Sequence, residues 1–223
     1  MKKFIATLMG LSLCGSSVLA LPKLPPNSLA AQGCMKLREC KEDVEQITDI
    51  SQLTDRYGDR WAIRYQEEIK ELIEVMNDGD IEIYLAPDFY FTRTTRGLYY
   101  TDVNRLFLND RYVQEAYAFI DVFRHEGWHA AQDCMAGTID NTFIAVIYDD
   151  DQVPQKYKLD ADIRYGFLMA KAVPWEQEAI WAGKTPGMTV NALRACADNT
   201  PMWETYEPTP MTREWLQDND YIR

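Results

Sequence analysis

Both histidines of the 223-residue chain lie in one short stretch, FRHEGWHAAQDC, at residues 123–134. His125 and His129 are four residues apart, and Glu126 directly follows the first of them. Apolar residues recur at helical spacing over about 110–135, a segment interrupted only by Gly127. Because residues four apart share one face of a helix, the fold must present both imidazoles side by side.

This H-E-x-x-H spacing has a specific chemistry. Two histidines on one helix face can bind a single metal ion through their ring nitrogens, and Glu126 lies about 100° round the helix, beside the metal. Zinc lowers the pKa of a bound water to about 7, and the glutamate can then pass the water's proton to a leaving amine. Two randomly placed histidines would give this arrangement roughly once in a thousand chains. The pattern therefore predicts His125 and His129 as metal ligands and Glu126 as catalytic base.

HEGWH resembles the active helix of the zincin metallopeptidases, and the preceding strand-like segment NRLFLN resembles the strand that borders their cleft. No third histidine exists, so the resemblance is to the gluzincins, whose third ligand is an acid on a later helix. More loosely, HEGWHAAQDC…EQEA…LRAC resembles a group of small, uncharacterised exported bacterial proteins with a cysteine at each end. The resemblance covers about residues 80–200 and implies a zinc cofactor and a peptide or protein substrate.

The third ligand follows only from this resemblance. PWEQEAIWAG, which starts at Pro174, resembles the second gluzincin motif, and the matching position is Glu176. Ala179 and Gly183 would lie on the same side of that helix and allow it to approach the active helix. Glu178 is the alternative ligand. Ile180 stands where the family usually has an acidic or amide residue.

The first twenty residues have the pattern of a secretory signal peptide, because Lys2 and Lys3 precede an apolar run that ends in small residues at Val18-Leu19-Ala20. Residues 21–33 are Pro-rich and predict a linker or an extended arm. Residues 34–223 are expected to form a single zincin-like domain. The protein is therefore predicted to be exported, to the periplasm or the medium.

The chain is strongly acidic, with a formal net charge of −12. Such a surface repels phosphate backbones, so no nucleic-acid partner is expected. No run beyond the signal segment is apolar enough to predict a membrane span. The acidity does not identify a substrate.

Five cysteines are present, and Cys14 would leave with the signal peptide. The remaining four, in an exported chain, predict disulfides. Four cysteines allow three pairings. We favour a short local loop, Cys34–Cys40, and a long staple, Cys134–Cys196, that ties the end of the histidine helix to a later segment.

Periodicity predicts an α+β fold: a small mixed sheet packed on the active-site helix, with further C-terminal helices. Residues 41–77 are predicted to be mostly helical, and IEIYLAP to form a strand. GLYYTDVNRLFLN is predicted to form two short strands with a turn near 102–104. Helices are predicted over DADIRYGFLMAKAV, over PWEQEAIWAG from Pro174, and over TVNALRACAD.

The predicted function is zinc-dependent peptide-bond hydrolysis by an exported gluzincin-type metallopeptidase. Two alternatives stay open: a catalytically inactive zincin fold, and a metal-free secreted binding protein stapled by disulfides. Gln132 returns to the histidine side of the helix and could line the pocket or orient a ligand. Tyr148, Tyr157 and Tyr165 fall where a tyrosine could stabilise an oxyanion, and the sequence does not choose among them.

Overall fold

The computed structural model describes residues 25–40, 43–92, 94–136, 144–167 and 169–198. The predicted signal peptide lies outside these residues. In chain order the main elements are α1 (Leu29–Leu37), β1 (Glu45–Ile47), α2 (Ser51–Tyr57), α3 (Gln66–Asp78), β2 (Glu82–Ala86), β3 (Gly97–Tyr100), β4 (Arg105–Asn109), α4 (Ala116–Ala136), α5 (Gln155–Tyr165), α6 (Val173–Gly183) and α7 (Met188–Ala197). The predicted α+β class with a small mixed sheet is confirmed.

The four strands form one sheet in the order β1-β2-β4-β3. The central pair, β2 and β4, is parallel, whereas β1 and β3 run antiparallel to their neighbours. Side chains alternate between the faces of a strand, so each central strand contributes to two cores. Ile83 and Leu106 belong to the main core with α3 and α4, while Tyr84 and Phe107 stack at 5.0 Å on the opposite face.

The position of NRLFLN corrects one expectation. This segment forms β4, which is an inner strand and does not border a cleft; β3 is the edge strand. The continuous apolar run Leu106-Phe107-Leu108 is typical of a strand covered on both faces, and the two faces of β4 contribute to different cores. The predicted turn is present, with Asn104 in the left-handed region at φ 51°.

Two N-terminal expectations also need correction. Within the region predicted as mostly helical, Glu45–Ile47 instead forms β1, which completes the sheet by pairing with β2. The second half of the predicted linker is not extended, because α1 begins at Leu29. The Ser28 hydroxyl caps that helix by accepting a hydrogen bond from the Ala31 backbone N–H, and Ala31 is buried in the second core.

The central helix α4 packs against α6, α7 and the sheet. Its one glycine has a packing reason, since a Cβ at Gly127 would lie 2.4 Å from the Met76 side chain and 2.9 Å from that of Thr189. Within α4, Arg124 is buried and forms a two-pronged ion pair with Glu68 of α3. These contacts fix α4 from the side opposite the histidines.

Both predicted cysteine pairs lie at disulfide distance. Cys34 and Cys40 have Cα atoms 5.2 Å apart and close the loop after α1. Cys134 and Cys196, with Cα atoms 6.2 Å apart, join the last turn of α4 to α7. Within the described residues, no helix combines the length and apolarity needed to cross a bilayer.

Candidate metal centre

Three side chains from two helices converge on one point. From α4, the His125 Nε2 lies 3.4 Å from the Glu176 Oε2, and the His129 Nε2 lies 3.8 Å from the Glu176 Oε1. The two imidazole rings stand perpendicular, with centroids 4.9 Å apart. One ligand atom from each of the three residues lies within 4.8 Å of the others. The structure thus brings His125, His129 and Glu176 together.

Small residues on α6 allow this approach. A Cβ at Gly183 would lie 2.9 Å from the Asp121 carbonyl oxygen and 3.5 Å from the His125 Cβ, so a larger residue there would push the helices apart. Ala179, one turn earlier, is fully buried. These are the two small residues expected to let α6 come close to α4.

The three side chains fit a divalent metal ion. The Glu176 Oε2 is buried and has no hydrogen-bond partner among the described residues, which is costly unless a cation satisfies it. Two ligands about 2.1 Å from a tetrahedral ion are roughly 3.4 Å apart, close to the observed nitrogen–oxygen separations. Two imidazoles and one carboxylate form a donor set typical of catalytic zinc.

His129 is held in the orientation that a metal ligand needs. Its Nδ1 lies 2.9 Å from the Gln132 Oε1, and the Gln132 Nε2 donates to the Glu178 Oε2 at 2.7 Å and to the Trp175 carbonyl at 3.3 Å. Because the last two are acceptors, the amide nitrogen must face them and its oxygen must face His129. His129 therefore donates from Nδ1, which leaves the Nε2 lone pair directed at the cluster.

Glu178, the alternative ligand, lies elsewhere. Its carboxylate is fully buried between α4 and α6 and does not reach the histidines' Nε2 atoms. It accepts four N–H groups, from the Gln132 side chain, the Trp128 indole and the Ile147 and Tyr148 backbones. Burial raises the pKa of Glu178 to about 7, against the effect of these donors. Glu178 thus fixes the segment after residue 144 and orients Gln132.

Glu126 lies between the histidines and the edge strand β3. It is only 8% exposed, and the Tyr99 backbone N–H lies against its carboxylate. Gly97 makes room for it, because a Cβ there would lie 2.7 Å from the Glu126 Cγ and from a Val122 methyl group. Burial, with the nearby negative charge of Glu176, raises the pKa of Glu126 to about 7, although His125 opposes the shift.

The pKa values of the clustered side chains depend on one another. Burial alone would raise the pKa of Glu176, but His125, His129 and the Tyr165 hydroxyl lower it to about 2. Burial would lower the pKa of His125, yet Glu176 and Glu126 raise it overall. For His129, burial is the main cause of a lowered pKa. An ionised carboxylate therefore faces two histidines, one of which is held neutral.

The cluster opens into a cleft of about 720 Å³ between β3 on one side and α5 and α6 on the other. Within the described part of the chain, three cleft-lining residues carry a buried polar atom without a hydrogen-bond partner: Asp121 Oδ1, Trp175 Nε1 and Glu176 Oε2. Buried polar groups are normally paired. Of the three, the Glu176 Oε2 belongs to the histidine cluster.

Of the three candidate tyrosines, only Tyr165 lines the cleft. Its pKa is raised by burial and by its interaction with Glu176. Tyr148 instead packs on Trp128, with stacked rings 5.9 Å apart. Sequence reasoning missed Gly97 and Tyr99 altogether, although a glycine at the start of a strand pattern is a recognised signal for close backbone approach.

Comparison of the chain with family models, with curated proteins and with solved structures finds no match.

Proposed function

We propose that this chain is an exported zinc peptidase that hydrolyses peptide bonds in the cleft between β3 and α6. The observation that carries the proposal is the convergence of His125, His129 and Glu176 with Glu126 beside them. Three protein ligands and an open cleft are typical of a catalytic metal site, whereas structural zinc sites are closed by a fourth protein ligand. Two disulfides are typical of proteins in an oxidising compartment, which supports export.

A zinc ion held by these ligands would supply Lewis-acid chemistry, polarising a carbonyl and lowering the pKa of water to about 7. The chain's own residues would move the protons. Glu126, with a pKa near 7, is suited to take a proton from the attacking water and give it to the leaving amine. The Tyr165 hydroxyl, across the cleft, could donate to the substrate carbonyl oxygen as negative charge develops.

The edge strand offers a way to hold a peptide. The Arg96 carbonyl accepts a hydrogen bond from the Asn109 N–H, so Arg96 belongs to a hydrogen-bonded pair with β4. Such pairs alternate along antiparallel strands, and the backbone groups of Gly97 and Tyr99 therefore point away from β4. The Tyr99 N–H lies against the Glu126 carboxylate, which leaves the Gly97 groups and the Tyr99 carbonyl for a substrate. In the described part of the chain no further strand pairs with β3. An extended substrate can add to this edge through main-chain hydrogen bonds.

The test combines metal content with hydrolysis. Elemental analysis of the wild-type protein should find one zinc per chain, and a mixed peptide library should be cleaved. Glu126→Gln should keep the zinc and lose about 100-fold or more of the activity, since it removes the proton carrier. Glu74→Gln, a change at an exposed glutamate of α3, is the control and should keep both the zinc and the activity.

Two outcomes would decide against the proposal. Stoichiometric zinc with no Glu126-dependent cleavage would favour the inactive zincin fold. A folded wild-type protein that binds no metal ion would favour a disulfide-stapled binding protein.

A further inference from the structure

One end of the cleft carries positive charge in a chain whose net charge is −12. Arg96 and Lys184 both line the cleft, and Lys184 lies beside Asp121, which is one helical turn before His125. Lys184 is neutralised by an ion pair with Asp121 and lies over the Tyr117 ring. Arg96 is exposed, lies 5.1 Å over the Tyr112 ring, and forms no ion pair with the described acids. Its guanidinium therefore has donors that no described acid occupies.

The position of Arg96 along the cleft follows from how β3 lies on α4. Gly97 is adjacent to Val122 and Glu126, and the Tyr99 hydroxyl reaches Asp133, further along α4. The strand and the helix therefore advance in the same direction. Arg96, just before Gly97, lies at the Asp121 end, before the metal cluster. The opposite end is lined by Thr101 and Ile144.

This placement sets which part of a substrate meets Arg96. A peptide added to the β3 edge pairs most stably when it runs antiparallel to β3. Its C-terminal end then points towards the start of β3, so the residues that follow the scissile bond pass Arg96 and Lys184. The residues before the scissile bond lie towards Thr101.

We propose that Arg96 is a specificity-determining residue that selects peptides with a carboxylate on the C-terminal side of the scissile bond. The inference rests on the proposed peptidase function and adds the substrate class. A guanidinium presents a planar fork that matches a carboxylate with two parallel hydrogen bonds. Lys184 adds a second cation at the same end and becomes available if the incoming carboxylate competes with Asp121. The carboxylate is that of an acidic side chain or of the free C-terminus.

The experiment compares matched peptides that differ in one group. One pair carries Glu or Gln one to three residues after the cleaved bond; a second pair has a free or an amidated C-terminus. The zinc-loaded wild-type protein should cleave the Glu peptide with a kcat/KM about tenfold above that of the Gln peptide, mainly through KM. Discrimination in the second pair alone would assign the carboxylate to the C-terminus.

The variants isolate Arg96. Arg96→Ala should bring both ratios close to one, and Arg96→Lys should keep part of the preference. Arg111→Ala is the matched control, because Arg111 lies 5.9 Å over the same Tyr112 ring but does not line the cleft. It should leave the preference unchanged. A preference that survives in Arg96→Ala would overturn the assignment.

A binding measurement separates this inference from the proposed function. Fluorescence anisotropy of labelled Glu and Gln peptides on the Glu126→Gln protein reports selection without turnover. Equal cleavage and equal binding within both peptide pairs would overturn the inference and leave the peptidase proposal intact. Arg96-dependent binding of the Glu peptide without any cleavage would overturn the peptidase proposal and keep the carboxylate site.

Discussion

Glu176 and Glu178 are two residues apart on α6, and their carboxylates have opposite surroundings on the two sides of this helix. On the cleft side, Glu176 faces two histidines, and one of its oxygens is buried without a hydrogen-bond donor among the described residues. On the inner side, Glu178 is fully buried and accepts four N–H groups. One position is left for a cation, whereas protein donors already satisfy the other.

The two carboxylates differ in role: that of Glu176 is available to a metal ion, and that of Glu178 positions its neighbours. A carboxylate whose lone pairs are already used by N–H donors has little to offer a metal ion, but it can fix the groups that donate to it. Glu178 thereby holds Gln132, which in turn orients His129. The two glutamates thus act on the same cluster, one directly and one through two hydrogen bonds.

The largest effect should come from removing the inner carboxylate. Glu178→Ala would leave four N–H donors buried without an acceptor, and we expect the metal-free protein to lose about 3–5 kcal/mol of unfolding free energy. Glu176→Ala should cost less, because only His125, His129 and the Tyr165 hydroxyl, and no backbone N–H group, face that carboxylate. Urea unfolding in the presence of a chelator measures both. Equal losses would abolish the distinction between the two sides of α6.

For zinc affinity we expect the reverse order, with a larger loss in Glu176→Ala than in Glu178→Ala. Outer-shell residues typically contribute 10- to 100-fold, so Glu176→Ala, which removes a proposed direct ligand, should weaken zinc binding by more than about 100-fold. Competition with a chromophoric chelator measures the change. Glu71→Ala, at an exposed position on α3, serves as control and should bind zinc like the wild type. Unchanged affinity in Glu176→Ala would remove Glu176 from the ligand set.

Removing Gln132, which connects Glu178 to His129, should have an intermediate effect on zinc affinity. Gln132→Ala breaks the chain of hydrogen bonds from Glu178 to His129, and we expect zinc affinity to fall about 10- to 100-fold. Gln177→Ala is a matched control, because Gln177 is also buried but bonds to Asp150, away from the histidines. If both variants bind zinc equally well, Gln132 does not orient His129.

The sequence was informative where contacts are local. Helical spacing alone places His125 and His129 on one face with Glu126 beside them, and the structure has this arrangement. The strands β2, β3 and β4 were likewise readable from short apolar patterns bounded by turn residues. In each case the determining interactions lie within a few residues of one another.

Long-range choices could not be read in the same way. The motif EQEA offers two glutamates, and only the rotation of α6 against α4, set by packing at Ala179 and Gly183, decides which faces the histidines. Nor does any local pattern show that β3, rather than β4, lies at the sheet edge. Strand order depends on pairing across the fold, which a periodicity of two does not encode.

The smallest expected effect concerns Asp133, which can be compared with Glu176. It is another buried carboxyl, bonded through one oxygen to the Tyr99 hydroxyl at 2.6 Å, while its Oδ1 has no partner among the described residues. Unlike Glu176 it is not part of the cluster of potential metal ligands. If an unpartnered oxygen alone attracted zinc, Asp133→Asn would lower the zinc stoichiometry. We expect no change, because the histidines are required.

What Asp133 should affect is the pH dependence of stability. Burial, opposed by the Tyr99 hydrogen bond, raises its pKa from the ordinary 3.8 to about 7. The folded state then holds a proton that the unfolded state releases, so stability falls as pH rises between about 4 and 7. From pH 5.5 to 6.5, the metal-free wild type should lose about 1 kcal/mol more than Asp133→Asn. Glu126 and Glu178, whose pKa values are also raised, contribute equally to both proteins and cancel in this difference. If urea unfolding shows the same pH dependence of stability for the two proteins, Asp133 is ionised over this whole pH range. Its buried oxygen then has a hydrogen-bond donor or a cation as partner.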